Sequence, residues 1–121
     1  MKNKENDLSD RFLDFAAEII KLVVGLNKTA VERYIAGQLT RSGTSPGANY
    51  EEACGAESRA DFIHKLRIVL KELRESLYWL RVIKKANIIT DTYPEFPALL
   101  EETKELTKII GQSIITAKKN K

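Results

Sequence analysis

The sequence predicts an all-α protein, an antiparallel up-and-down four-helix bundle, and three observations carry that prediction. Apolar residues recur at three- and four-residue spacing through four long segments, with almost no alternating β-pattern to compete. Short links join these segments, and short links between long amphipathic helices make sequence neighbours antiparallel. With 121 residues, 43% of them hydrophobic and 31% charged, the chain reads as one globular domain (1–121). That length buries about two-thirds of the unfolded surface. Residues 1–6 and 119–121 are expected to form disordered tails.

Asp7 or Ser9 can cap the first helix, which runs to about Leu26. Leu8, Phe12, Phe15, Ala16, Ile19, Leu22, Val23 and Leu26 share one of its faces. Asn27 is the expected cap of the second helix, whose inner side carries Val31, Tyr34, Ile35, Gln38 and Leu39. The stretch "SGTSPGAN", Ser42 to Asn49, then places small residues and a proline in the middle of that helix. If the helical phase carries through, Ser42, Ser45, Asn49, Ala53 and Ala56 continue the inner face and admit a close neighbour. Pro46 either bends the helix or opens a restarted one capped by Ser45. Asn49 then lies near the core with Glu52 one turn on, hydrogen-bonding across the interruption. Ser45, Asn49 and Glu52 are thus assigned structural roles.

Ser58 caps a long third helix through about Asn87, with Asp61 favouring its positive N-terminal end. "TDTYPEFPALLEE" punctuates the chain with two prolines, and Pro97 suits the first turn of a fourth helix to about Lys118. Leu99, Thr103, Leu106, Ile110, Ser113 and Ala117 form its repeating stripe.

The third helix has three faces. Its core face holds Phe62, Leu66, Val69, Leu70, Leu73, Leu77 and Leu80. Nearly opposite lie Asp61, Lys65, Ile68, Glu72, Glu75, Trp79 and Val82. Large apolar groups alternating with charges of both signs fit a seam against another subunit, with Trp79 as its anchor. The competing reading is that Trp79 covers an edge of its own bundle. The third face is a rail of Arg67, Lys71, Arg74, Tyr78, Arg81 and Lys85, with no carboxylate in its sector. Such a rail can line a phosphate backbone. A charge run is more often a solvated face, or is paired with acids of the second or fourth helix such as Glu101, Glu102 or Glu105.

The remaining signals exclude more than they propose. No phosphate-binding GxxxxGK occurs, and one histidine (His64) with one cysteine (Cys54) cannot build a metal site alone. No catalytic residues, metal or cofactor are therefore expected, and the chain reads as a non-enzyme. His64 is read as solvated and Cys54 as a buried or half-buried filler. The polar opening "MKNKENDLSDRF" is no secretory signal, and "IIKLVVGL" is too short to span a membrane. A lone cysteine agrees with a reducing cytoplasm. Twenty basic and 17 acidic residues leave a formal charge of +3, too mild by itself to diagnose a nucleic-acid binder.

One stretch carries a resemblance. "SGTSPGANYEEACGAESRADFIHKLRIVLKELRESLYWL" resembles the S23 family, the bacterial four-helix-bundle proteins encoded by intervening sequences within 23S ribosomal RNA genes. The family pattern S-G-T-S-x-G-A-N-Y-x-E-A is met by Ser42 to Ser45, Gly47 to Tyr50, Glu52 and Ala53. It continues through Ser58, Asp61, Phe62, Lys65, Lys71, Glu72, Glu75, Tyr78, Trp79 and Leu80. Pro46 departs from it, since the family commonly has an aliphatic residue there. The resemblance implies a homopentamer of antiparallel bundles around a central channel, and no catalytic residues. A related branch is the accessory variability determinant of diversity-generating retroelements, a basic pentamer that binds nucleic acid and a reverse transcriptase. By that resemblance the partners are copies of the chain itself, RNA or DNA, and a reverse transcriptase where the gene lies in a retroelement.

The leading expectation is a ring-forming, non-enzymatic bundle acting as a nucleic-acid-binding or assembly accessory factor. The alternative is a protein-interaction scaffold with no nucleic-acid role. A nucleotide or small-molecule enzyme with a pocket between subunits ranks third, because no acid–base cluster is visible. Salt separates the first two: phosphate contacts weaken steeply with it, whereas apolar contacts do not.

Overall fold

The structure, a computed structural model, describes residues 4–88 and 93–120. Four helices follow one another: α1 (Lys4–Val24), α2 (Ala30–Cys54), α3 (Arg59–Ala86) and α4 (Phe96–Lys119). Each packs on its sequence neighbours, most extensively α2 on α3, and a thinner contact of α1 with α4 closes the ring of four, as an up-and-down bundle requires. Of the expected tails, residues 4–6 and Lys119 fall within helices, and residues 1–3 and 121 lie outside the described residues.

Local chemistry sets the helix ends. Thr29, not Asn27, caps α2: its hydroxyl accepts from the Glu32 amide at 3.0 Å, while the Glu32 carboxylate accepts from the Lys28 amide at 3.2 Å. Thr-x-x-Glu spacing allows this two-way exchange and moves the start two residues past Asn27. Ser58 caps α3 as expected, accepting from the Asp61 amide at 3.1 Å. Asn87 closes α3 in the left-handed conformation (φ 58°), which asparagine tolerates better than most residues. Pro97 sits in the first turn of α4, where its missing N–H costs nothing.

Helix α2 runs unbroken for 25 residues with Pro46 inside it. Ser45 therefore caps no restarted helix. The proline forfeits one backbone hydrogen bond, a loss of about 3 kcal/mol in an isolated helix. Here Ser42, Gly43, Pro46, Tyr50 and Ala53 are all buried against neighbours, so tertiary packing holds both halves in line. Two expectations for its inner face fail. Val31 and Tyr34 are 64% and 61% exposed, the first in the opening turn, the second on the outer side facing Trp79.

The core joins Phe12, Phe15, Ile19 and Leu22 to Ile35, Leu39 and Tyr50, then to Leu66, Val69, Leu73, Leu80 and Ile83, and to Leu99, Leu106 and Ile110. Small residues of α2 decide how closely its neighbours approach. A Cβ on Gly43 would meet Ile19 side-chain atoms at 2.7 and 2.8 Å, and one on Gly47 would meet Phe12 Cβ at 3.2 Å. The two glycines, four residues apart, form the track on which α1 lies. On the other side of α2, the buried Ser76 hydroxyl donates to the buried Ser42 hydroxyl at 2.9 Å. Among the described residues no buried side-chain nitrogen or oxygen lacks a partner.

These contacts separate two glycine substitutions on the same helix. Gly43→Ala should destabilise the protein by about 1–3 kcal/mol, because the fully buried Ile19 has no room to yield. Gly37→Ala meets nothing within 4 Å and should stabilise by about 0.5–1 kcal/mol through helix propensity. Urea-unfolding midpoints moving in opposite directions would confirm the track.

Candidate nucleic-acid interface

The stripe read as a subunit seam faces α2 of its own chain through its polar members. Lys65 Nζ pairs with Glu52 Oε1 at 2.7 Å, Asn49 Nδ2 donates to Glu72 Oε1 at 3.0 Å, and Glu75 pairs with Arg41. The register these charges set is that of α3 against α2. Asn49 and Glu52 bond to α3, whereas the sequence predicts bonds across an interruption of α2. Ser45 is half-buried on the same helix. Trp79 is also half-buried, its Nε1 donating to Glu75 Oε2 at 3.4 Å and its ring edge-to-face with Tyr34 at 6.0 Å. Ile68 and Val82 remain half-buried at the outer margin.

The carboxylates of this seam divide by environment. Arg41's hydrogen bond holds Glu75 below the ordinary carboxylate range. Burial pushes Glu72 above it, and the Asn49 hydrogen bond offsets only part of that. A similar link ties α1 to the segment leading into α4 and so supports the thin α1–α4 seam: the Tyr93 hydroxyl donates to Glu18 Oε1 at 2.5 Å. Burial, then this carboxylate, raises Tyr93 well above the phenol range, while the bond lowers Glu18. Arg11 completes that seam with two bonds to Glu102, at 2.9 and 2.6 Å.

The rail lies on the flank of α3 away from α2. Arg67, Lys71, Arg74, Tyr78, Arg81 and Lys85 are all exposed. None of the five cations forms an ion pair among the described residues; Lys71 feels Glu75 only through space. Glu101 and Glu102 of α4 pair with other cations. Glu102 binds Arg11 across α1, Glu105 acts on Arg11 through space, and Glu101 pairs with Lys104 at 3.3 Å.

Helix α4 extends the rail, which the sequence reading missed. Arg74 and Lys108 line one shallow groove between α3 and α4 with Leu70, Thr107, Gly111 and Ile115. Lys104, one turn before Lys108, lies on the same outer side by helical phase but is paired there with Glu101, so Lys108 is the α4 cation that adds to the rail. The signal was present as lysines four apart in α4, but only the antiparallel register sets them beside Arg74.

The other chemistry-bearing residues stay apart. Among the described residues no group of three or more His, Cys, Asp or Glu could hold a metal ion. His64 is exposed, and Cys54 is exposed at the last turn of α2 instead of filling the core. The side chain points outward because Ala53 beside it takes the buried position. Among the described residues no helix is long and apolar enough to cross a membrane.

A four-helix bundle with an unpaired row of cations on α3, and no metal-binding cluster among the described residues, is the class of protein this geometry defines. Residues 4–112 match the family model of the 23S rRNA-intervening sequence protein, and the chain belongs to that family. A solved structure, from Bacteroides thetaiotaomicron and described as a protein with unknown function from the S23 ribosomal protein family, is 38% identical with a TM-score of 0.80. The match covers 88% of this chain and 97% of that one. No curated protein matches.

Glu72 gives this region a pH signature. Its proton is held more tightly in the folded state, so its charge opposes folding, and stability is lost as pH rises from the ordinary carboxylate range through the raised value. Glu72→Gln keeps an acceptor for Asn49 without the charge. Its urea midpoint should exceed the parent's at neutral pH, with the gain vanishing once the acid range is reached.

Proposed function

We propose that this chain is a non-enzymatic, cytoplasmic nucleic-acid-binding accessory protein that works as a homo-oligomer. The observation that carries the reading is the α3–α4 flank: five exposed cations of α3 with no ion pair among the described residues, joined by Lys108 across a groove. Aligned like charges slightly disfavour a helix, so the flank calls for counter-charge from outside the chain. A phosphate backbone supplies it in a repeating form. Membership of a family tied to 23S rRNA intervening sequences supports the same partner.

Five engaged cations give a slope of log affinity against log salt of about −3.5 on single strands or −4.5 on duplex. Changing Arg67, Arg74 and Arg81 together to Gln should reduce that slope by about 2 to 3 and abolish binding at physiological salt. Fluorescence polarisation with labelled RNA and DNA across a salt series measures both. Absence of binding at low salt would favour the scaffold reading instead.

Assembly would multiply a weak strip into a continuous surface. Leu13, Ile20 and Val24 stand exposed along one line of α1, at 70%, 48% and 67%. A second copy would cover such a line and the margin at Ile68 and Val82, and the resemblance to the S23 family gives five as the number of copies. Leu13→Lys with Val24→Lys should then lower the mass measured by light scattering while leaving the helical content unchanged. A monomeric parent would refute the oligomer.

A further inference from the structure

The rail's six positions follow a regular 4-3-4-3-4 spacing, and five hold cations. The sixth holds Tyr78, between Arg74 and Arg81. Tyr78 is 60% exposed, a large aromatic residue left in water inside a field of positive charge. It is also braced. Trp79 stands edge-on to it at 5.2 Å and 74°, and Trp79 is held in turn by Tyr34 and by the Glu75 carboxylate. A ring fixed from one side and open on the other is a stacking platform.

We infer that the α3–α4 flank selects single-stranded nucleic acid, the rail following the backbone while a base stacks on Tyr78. This rests on the reading of the flank as a phosphate-binding face and names its substrate class. Two arguments favour a single strand over duplex. A duplex keeps its base faces inside the stack and offers Tyr78 nothing, whereas a single strand presents a π-face at every nucleotide. The flank is also too broad to enter a groove. Two packed helices 8–10 Å apart, each roughly 10 Å across, exceed the about 12 Å width of the major groove. Rail positions recur about every 4.5–6 Å along α3, from Arg67 to Lys85 over about 27 Å, with Tyr78 filling the roughly 10.5 Å gap between the cations Arg74 and Arg81, which suits a flexible strand that can follow both charges and ring. Because every base has a π-face, the selection is for strandedness and not for sequence.

The test compares a pyrimidine oligonucleotide, oligo(dT) or oligo(U), with a blunt duplex of equal charge at one low salt concentration. Trp79, the chain's only tryptophan, lies against Tyr78 and reports occupancy through its emission. The single strand should bind at least about ten-fold more tightly than the duplex and quench Trp79. Tyr78→Ala should erase that preference while leaving duplex affinity unchanged, and Tyr78→Phe should retain it. Equal or tighter duplex binding, or a preference that survives Tyr78→Ala, overturns the inference while leaving the phosphate-binding reading intact. Failure of both probes to bind overturns both.

Discussion

The middle of α2 is a contact surface on two sides at once, and the close approach of its neighbours there governs the rest of the bundle. Gly43 and Gly47 give α1 a track without Cβ atoms, against which Ile19 and Phe12 seat. Ser42 turns the adjacent side toward α3 and spends its hydroxyl on Ser76, so a polar atom is buried without an unmet partner. Larger residues on either side would push α1 or α3 outward and open a core whose main side chains are almost fully buried. Weak helix formers in mid-helix are therefore the cost of tight packing.

That packing also sorts the charges. With α3 held close to α2, the acids on the near side of α3 find partners on α2: Glu72 meets Asn49 and Glu75 meets Arg41. On α4 Glu102 turns toward α1 and grips Arg11, while Glu101 stays on the outer side with Lys104. Cations on the far side of α3 and the outer side of α4 are left together. A formal charge of +3 thus conceals a strongly divided surface, and the division follows from which helix each acid faces.

Legibility in the sequence followed the range of the interactions involved. Periodicity is local, so four helices, their antiparallel order and most of the core were readable from residues such as Phe12, Leu73 and Ile110. Caps depend on a few neighbours: Ser58 was readable, whereas Asn27 displaced Thr29 until the reciprocal bond of Glu32 was seen. The rail was legible because its members lie on one helix. Its extension by Lys108 was not, since that requires the α3–α4 register. Side-to-side assignment around α2 failed for the same reason. A helical wheel places Asn49 inward but cannot say that it reaches Glu72, nor that the polar members of the Trp79 stripe close on α2 of the same chain. Pro46 shows the converse case, a local breaker overruled by burial on both flanks.

Folding and the basic flank draw on separate interactions. The core is apolar, and the ion pairs that tie α1 to α4 and α2 to α3 leave the rail cations untouched. Exposed cations without partners contribute little to folding, and their mutual repulsion works weakly against it. Arg67, Arg74 and Arg81 therefore find no explanation in the stability of the chain. Nor does Tyr78, whose open ring buries little in the folded protein. Residues that folding does not require, gathered in one regular row with Tyr78 braced by Trp79, are what the proposed function would account for by a partner from outside the chain. An anion with repeating charge and accessible ring faces matches both halves of that row, which neither an acidic protein surface nor solvent does.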